Sequence, residues 1–184
     1  MKVIIIEGPD NCGKDTLISK ILEYFPTTTL IHCSKPISKK YSSIEQDLLF
    51  ETYVNNVCEK KYNTHLILFN RGFHGEFVYG QLYRKRTESE INKMIYNLEN
   101  KFVEKNIDIK YIQLLSSNIQ LLVKNEDGKS LSSGNIKKIE LECELFKKVF
   151  NNSILNKKLI YINKDNEFRS RESILNEVMS FIKN

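Results

Sequence analysis

Nine consecutive residues constrain this chain more than any others: Gly8-Pro9-Asp10-Asn11-Cys12-Gly13-Lys14-Asp15-Thr16. They follow a short β-branched run, Val3-Ile4-Ile5-Ile6, and precede Leu17, Ile18, Ile21, Leu22 and Phe25 at helical spacing. A strand that enters a helix through two glycines with four residues between them can wrap its backbone around a phosphate. Glycine lets successive N–H groups turn inward toward the phosphate oxygens. The helix contributes the positive end of its dipole, and Lys14, on what reads as an exposed helix start, contributes a full charge. Gly8, Asn11, Cys12, Gly13, Lys14, Asp15 and Thr16 are therefore the candidate phosphate-binding residues, with Lys14 reaching the β- and γ-phosphates. The bland alternative is a glycine turn with a solvated lysine, and it leaves strand, spacing and helix as coincidences.

One position departs from the motif. After Gly-Lys a Ser or Thr hydroxyl normally meets Mg²⁺, but here Asp15 stands, followed by Thr16. A carboxylate is a good hard ligand for Mg²⁺. It is also a negative charge beside phosphates, so it helps only with the metal bound. Two readings stay open: Asp15 ligates the metal directly or through water, or Asp15 caps the helix and Thr16 serves the metal.

The rest of the chain repeats the alternation. Apolar runs at residues 28–33, 65–69, 109–115 and 159–162 read as strands. Helical periodicity marks residues 44–57, 76–83, 91–103, 136–150 and 174–182. Five buried strands alternating with helices predict an α/β fold, a parallel sheet covered on both faces, in one domain over residues 1–184. Ligands of such sheets sit at the carboxyl ends of the strands. Arg71 follows the third strand there, which favours phosphate binding over a surface salt bridge.

Composition excludes several classes. At 41% hydrophobic and 28% charged residues the chain is globular and not disordered. No apolar run approaches the roughly 20 residues of a membrane span, and residues 3–6 are too short for a signal-peptide core. The expectation is a cytoplasmic protein with no membrane partner. Cys12, Cys33, Cys58 and Cys143 show no paired spacing, so reduced thiols are expected, with neither zinc nor disulfides. The net charge of +5 comes from 23 lysines and 5 arginines scattered along the chain. That suits small phosphate-bearing ligands and offers no basic stripe for nucleic acid.

These residues resemble the thymidylate kinase family of nucleoside monophosphate kinases, most closely in the pattern of its phage-type relatives. The family carries an acid two places after the first loop glycine, as Asp10 follows Gly8, and Glu7 and Thr16 also fit. Its second motif, Asp-Arg-aromatic after the third strand, corresponds to Asn70-Arg71-Gly72-Phe73-His74-Gly75-Glu76-Phe77-Val78-Tyr79. Asn70 replaces the family's acid and Gly75 its serine. Leu48-Leu49-Phe50 resembles the family's Leu-Leu-Phe helix, whose Phe stacks on thymine. Val54 stands where an arginine is expected, and Ser34-Lys35-Pro36 where the family has Arg-Glu-Pro. The resemblance implies a three-layer P-loop NTPase fold with a five-stranded parallel sheet flanked by helices. It implies ATP and Mg²⁺, phosphorylation of dTMP, a small-molecule nucleotide partner, a homodimer, and a mobile lid at residues 124–135. Asp10, Phe50, Arg71 and Tyr79 would bind the acceptor.

Two readings of the same residues are weighed against this. Phe50 and Tyr79 also suit the core, and His74, a lone loop histidine, reads as solvated. The family's arginine for the moving phosphoryl is absent from the loop, where Asn11 stands, and the lid offers only Lys124 and Lys129. Arg84 or Arg86 is the candidate replacement, against a solvated helix end. Nucleoside phosphorylation, or nucleotide binding without turnover, remains as the alternative activity. The former would want a carboxylate base where Asn70 stands.

Overall fold

The computed structural model describes residues 1–33, 36, 42–126, 128 and 130–183. Ser34 and Lys35, and Asp127 and Lys129 of the expected lid, lie outside them. In chain order the elements are β1 (Lys2–Glu7), α1 (Lys14–Tyr24), β2 (Thr28–His32), α2 (Ser42–Cys58), β3 (Leu66–Asn70), α3 (Gly75–Arg84) and α4 (Glu88–Glu104). They continue with β4 (Asp108–Leu115), α5 (Ile119–Lys124), α6 (Ile136–Asn152), β5 (Asn156–Tyr161), β6 (Asn163–Lys164), β7 (Glu167–Phe168) and α7 (Arg171–Lys183).

Five strands form one parallel sheet in the order β2-β3-β1-β4-β5, as the alternation predicts. β1 is its centre, with neighbours on both edges and helices on both faces. That is why Val3, Ile4, Ile5 and Ile6 are all fully buried and all β-branched. Register fixes the functional end: Ile6 pairs with Asn70 on one side and with Ile112 on the other. The loop after β1 and the turn after β3 therefore leave the sheet side by side.

α1 packs on α7, while α2, α3, α4 and α6 form a second contiguous group. α4 shows how sequence sets these packings. Thr87 accepts from the Glu90 N–H while Glu90 accepts from the Thr87 N–H, a capping box worth about 1 kcal/mol. Ile91, Ile95, Leu98 and Phe102 then bury one face. Glu99 lies on that buried face, where a carboxylate is costly unless fully bonded. It accepts from His74 Nε2 at 2.8 Å, from the Ser153 hydroxyl and from the Ile154 N–H at 3.0 Å. Those bonds outweigh burial and hold its pKa below the ordinary value. His74 is accordingly not solvated, contrary to the sequence expectation. It is fully buried, with its ring 4.1 Å from Tyr111 and 4.3 Å from Phe73. No described helix is long and apolar enough to cross a membrane.

Candidate active site

The loop after β1 is built by close approach. At Gly8 (φ +151°) a Cβ would lie 2.5 Å from the Leu114 carbonyl oxygen, so no side chain fits. Asn11 at φ 63° and Gly13 at φ 80° then take left-handed backbone that curls the loop into α1. Gly13 caps α1 with no side-chain hydrogen bond, leaving the positive end of the helix facing the loop.

Lys14 differs from expectation: it is buried, not exposed. Its ammonium folds back under the loop and donates to the carbonyls of Gly8 at 2.9 Å and Pro9 at 2.6 Å. Burial lowers its pKa and the nearby Arg71 pushes the same way, while Cys12, Asp10 and Glu7 oppose. A desolvated lysine at this point is a stronger partner for phosphate than a solvated one.

A cleft of about 590 Å³ opens above the loop. It is lined by Asp10, Asn11, Gly13, Lys14, Asp15 and Thr16 from the loop, by His32, Asn70 and Arg71 from the ends of β2 and β3, and by Asn125 and Ser130. Asp15 is exposed at its edge, and its Oδ1 accepts from Asn70 Nδ2 at 2.7 Å. Asn70 Nδ2 also lies 3.1 Å from His32 Nδ1. The two departures noted in the sequence thus meet: the acid stands on the loop and the amide at the strand end. Mg²⁺ prefers one or two carboxylates with water and substrate phosphates completing its octahedron. Asp15 and Thr16 fit that demand. Among the described residues no group of three or more His, Cys, Asp or Glu forms a self-sufficient metal cage.

Arg71 occupies the hinge of the site. Its backbone is left-handed, φ 65°, a strained state for a non-glycine residue, and its N–H is held by the Ile6 carbonyl at 3.0 Å. The guanidinium donates to the Tyr79 hydroxyl at 3.0 Å and pairs with Asp10. Burial would lower its pKa, but Tyr79, Asp10 and Glu7 outweigh it and hold the group firmly charged. Asp10 and Arg71 also line a second cleft, of about 230 Å³, with Phe50, Gly75, Tyr79, Arg84 and Leu131. Phe50 is buried, edge-on to Phe73 with ring centres 6.4 Å apart. Arg84 lines this second cleft and not the first. Its guanidinium pairs with Glu76, and Arg86 bridges Glu76 to Asp47. Both arginine side chains are largely buried, so they are not a solvated helix end. Among the described residues Arg71 is the sole arginine lining the phosphate cleft.

Three sets of contacts in the site go beyond what the sequence reading gives. Glu7 is fully buried and accepts from the N–H groups of Gly72 at 2.7 Å and Gly75 at 2.9 Å, tying the two strand ends together. Glu126, from the expected lid, accepts from Asn11 Nδ2 at 3.3 Å and from the Ser130 hydroxyl at 2.5 Å. A third cleft of about 330 Å³ lies on the other side of the loop, between Asn11, Gly13 and Leu114 and the residues Phe168, Arg169 and Arg171. The β6–β7 hairpin that carries Phe168 has strands of two residues, too short for any periodic signal.

No family model and no curated protein sequence matches the chain. Solved structures do. The YorR protein of Bacillus subtilis, in complex with phosphorylated GDP, matches with TM-score 0.71 and 19% identity, over 99% of this chain and 96% of that one. Thymidylate kinase from Candida albicans matches with TM-score 0.62 and 12% identity, over 99% and 91%. Deoxyadenosine kinase from M. mycoides with bound dATP matches with TM-score 0.59 and 13% identity, over 99% and 100%. At these identities the likeness is one of fold: the chain shares the architecture of these three structures over nearly its whole length.

Proposed function

We propose that this chain is a nucleoside monophosphate kinase that moves the γ-phosphoryl of ATP to an acceptor monophosphate, dTMP being the acceptor the family resemblance favours. One observation carries the reading. Lys14 and Arg71, cations from two adjacent strand ends, line a single cleft, and Arg71 with Asp10 also lines a second cleft beside it. That is the arrangement an in-line transfer between two phosphates needs: donor held by one cation, acceptor by the other, the moving group between them.

The roles follow from the chemistry. The loop N–H groups, the start of α1 and Lys14 hold the donor phosphates. Asp15 and Thr16 would hold Mg²⁺, which neutralises charge on the donor when bound. Asn70, bonded to Asp15, fixes the orientation of that carboxylate. Arg71 holds the acceptor phosphate, kept charged by Asp10 and oriented by Tyr79. Tyr79 itself stays a neutral phenol, since burial raises its pKa well above the ordinary value. No general base is required for an acceptor that is already anionic. Asn125 and Ser130 line the phosphate cleft and Leu131 the second one, which supports a lid role for the segment at 124–135. The cleft bearing Phe168 and Arg171 adjoins the loop and suits the donor's base.

A coupled assay of ADP release tests the proposal across monophosphates and nucleosides. Monophosphate-dependent turnover supports it. Turnover with nucleosides alone would replace it with the nucleoside kinase reading, and ATP binding without acceptor-dependent turnover would replace it with a nucleotide-binding role.

A further inference from the structure

Glu142 stands where packing asks for an apolar residue. On α6 it shares a buried face with Ile139, Cys143, Phe146 and Val149, and it is 1% exposed. A buried carboxyl is costly unless it is bonded. Its partner is the Tyr83 hydroxyl on α3, which donates to Oε1 at 2.7 Å. Burial and Glu142 together raise the pKa of Tyr83, so Tyr83 stays a phenol able to donate. Burial raises the pKa of Glu142 as well; Tyr83 opposes this, Asp10 adds to it, and Arg71 and Lys14 oppose it. The electrostatic neighbours of this α6 acid are thus the charged groups of the two clefts.

The same two helices carry the residue that orients Arg71. Tyr79 lies one turn before Tyr83 on α3, and Phe146 one turn after Glu142 on α6. Residues four apart share a helix face. The Tyr79 ring stacks on Tyr83 with centres 6.2 Å apart and meets Phe146 edge-on at 5.9 Å. Its hydroxyl accepts from Arg71 Nη1 at 3.0 Å, and the guanidinium carbon lies 5.3 Å from the ring centre. Arg71 therefore rests on Tyr79 twice, by bond and by ring face. Apolar contact is non-directional and lets one helix slide on another at little cost. A hydrogen bond tolerates far less displacement. Among the described residues, Tyr83 to Glu142 is the one side-chain hydrogen bond between α3 and α6.

We propose that the Tyr83–Glu142 hydrogen bond positions the acceptor site: it fixes the seating of α3 on α6 and so holds the Tyr79 hydroxyl where it aims Arg71 at the acceptor phosphate. This rests on the monophosphate kinase reading above. Tyr83 and Glu142 line neither of the clefts that Arg71 joins, so they touch no substrate there and act through Tyr79. Without the bond the Tyr79 ring keeps its apolar contacts but loses its single position. Displacing a positioning group by about 1 Å can cost about a hundredfold in rate. Asp10 still holds Arg71 when the clamp is cut, so the loss here is smaller.

Calorimetric titration of dTMP and, separately, of ATP with Mg²⁺ tests this. Tyr83→Phe keeps the ring and removes the donor; it should weaken dTMP binding about three- to tenfold and leave ATP within about twofold. Glu142→Leu should match it, whereas Glu142→Gln, which still offers Tyr83 an oxygen, should stay within about twofold of wild type. Tyr79→Phe should weaken dTMP by itself, and adding Tyr83→Phe to it should cost less than about twofold more, since the clamp then has nothing to hold. A merely structural bond would lower the urea midpoint of Tyr83→Phe and weaken both ligands alike or neither. Unchanged dTMP affinity in Tyr83→Phe, equal losses for dTMP and ATP, independent losses at Tyr79 and Tyr83, or Glu142→Gln as weak as Glu142→Leu overturns the inference. Labelling of Arg71 by phenylglyoxal, read by mass spectrometry without nucleotide, keeps the two readings apart. The clamp predicts labelling at least about threefold faster in Tyr83→Phe than in wild type, with Arg169 unchanged. An unchanged Arg71 rate overturns it. A wild-type chain that binds ATP but no monophosphate sinks the kinase proposal, and the labelling alone then decides the clamp.

Discussion

Glu7 offers the sharpest physical test of how the site is held together. Its carboxylate is fully buried, accepts two backbone N–H bonds at 2.7 and 2.9 Å, and leaves Oε2 with no partner. Burial raises its pKa above the ordinary 4.5, and Arg71, His74 and the two N–H groups only partly offset this. The sign of the linkage follows. Above pH 4.5 the unfolded chain has released this proton while the folded chain keeps it, so stability falls as pH rises toward the folded pKa. Glu7→Gln preserves an acceptor for Gly72 and Gly75 but cannot titrate. The stability difference, wild type minus Glu7→Gln, should therefore be flat below pH 4.5 and then fall. The slope should approach about 1.4 kcal/mol per pH unit until the folded pKa is passed. Glu7→Ala removes the acceptor altogether and strands two buried N–H groups, at about 1–3 kcal/mol each. It should lose about 2–6 kcal/mol at every pH. Urea denaturation from pH 4 to pH 8, followed by circular dichroism, reads both quantities. A difference between wild type and Glu7→Gln that rises with pH, or Glu7→Ala within about 0.5 kcal/mol of wild type, would refute the account of Glu7 as a buried strap.

The other predictions concern the ligands. Arg71→Ala should raise the acceptor KM and lower kcat, costing about ten- to a hundredfold in kcat/KM, with ATP affinity nearly unchanged; steady-state kinetics with each substrate varied in turn checks this. Asp15 should make ATP binding unusually dependent on Mg²⁺, because one unit charge about 4 Å from phosphate repels by roughly 4 kcal/mol at an effective dielectric near 20. Calorimetry with and without chelator should show a larger loss in the wild type than in Asp15→Ser, and equal losses would favour the helix-capping role for Asp15. Sedimentation at micromolar concentration should show a dimer. Ile44 and Leu48 on α2 are each 67% exposed, so Leu48→Glu should shift the species toward monomer.

Strands and long helices were legible because period carries them. The runs at residues 28–33, 65–69 and 109–115 lie within a residue or two of β2, β3 and β4. β5 was legible only at its end. It is an edge strand whose first half, Asn156-Lys157-Lys158, faces solvent in part and carries no apolar signal. α5 has six residues and the β6–β7 hairpin two per strand, lengths at which neither helical nor alternating period can be recognised. The phosphate loop was legible because backbone demands fix its glycines, Gly13 by its left-handed φ of 80° and Gly8 by the close approach of the Leu114 carbonyl. What stayed hidden was long-range pairing of polar residues. His74 meets Glu99 from another helix, and Glu7 binds two N–H groups beyond β3. Arg84 finds Glu76 two turns back along its own helix, an interval longer than the helical-neighbour spacing that sequence patterns reveal.

The central claim is that the loop around Lys14 and the turn around Arg71 together transfer phosphoryl between two nucleotides. The direct measurement is ADP formation from ATP and Mg²⁺ with dTMP, followed in wild type and in Lys14→Ala after both are shown to be folded. The account predicts dTMP-dependent ADP release in the wild type and a loss of at least about a hundredfold in Lys14→Ala. A folded Lys14→Ala chain that turns over at near wild-type rate, or a wild-type chain that binds ATP yet releases no ADP with any monophosphate, would contradict it.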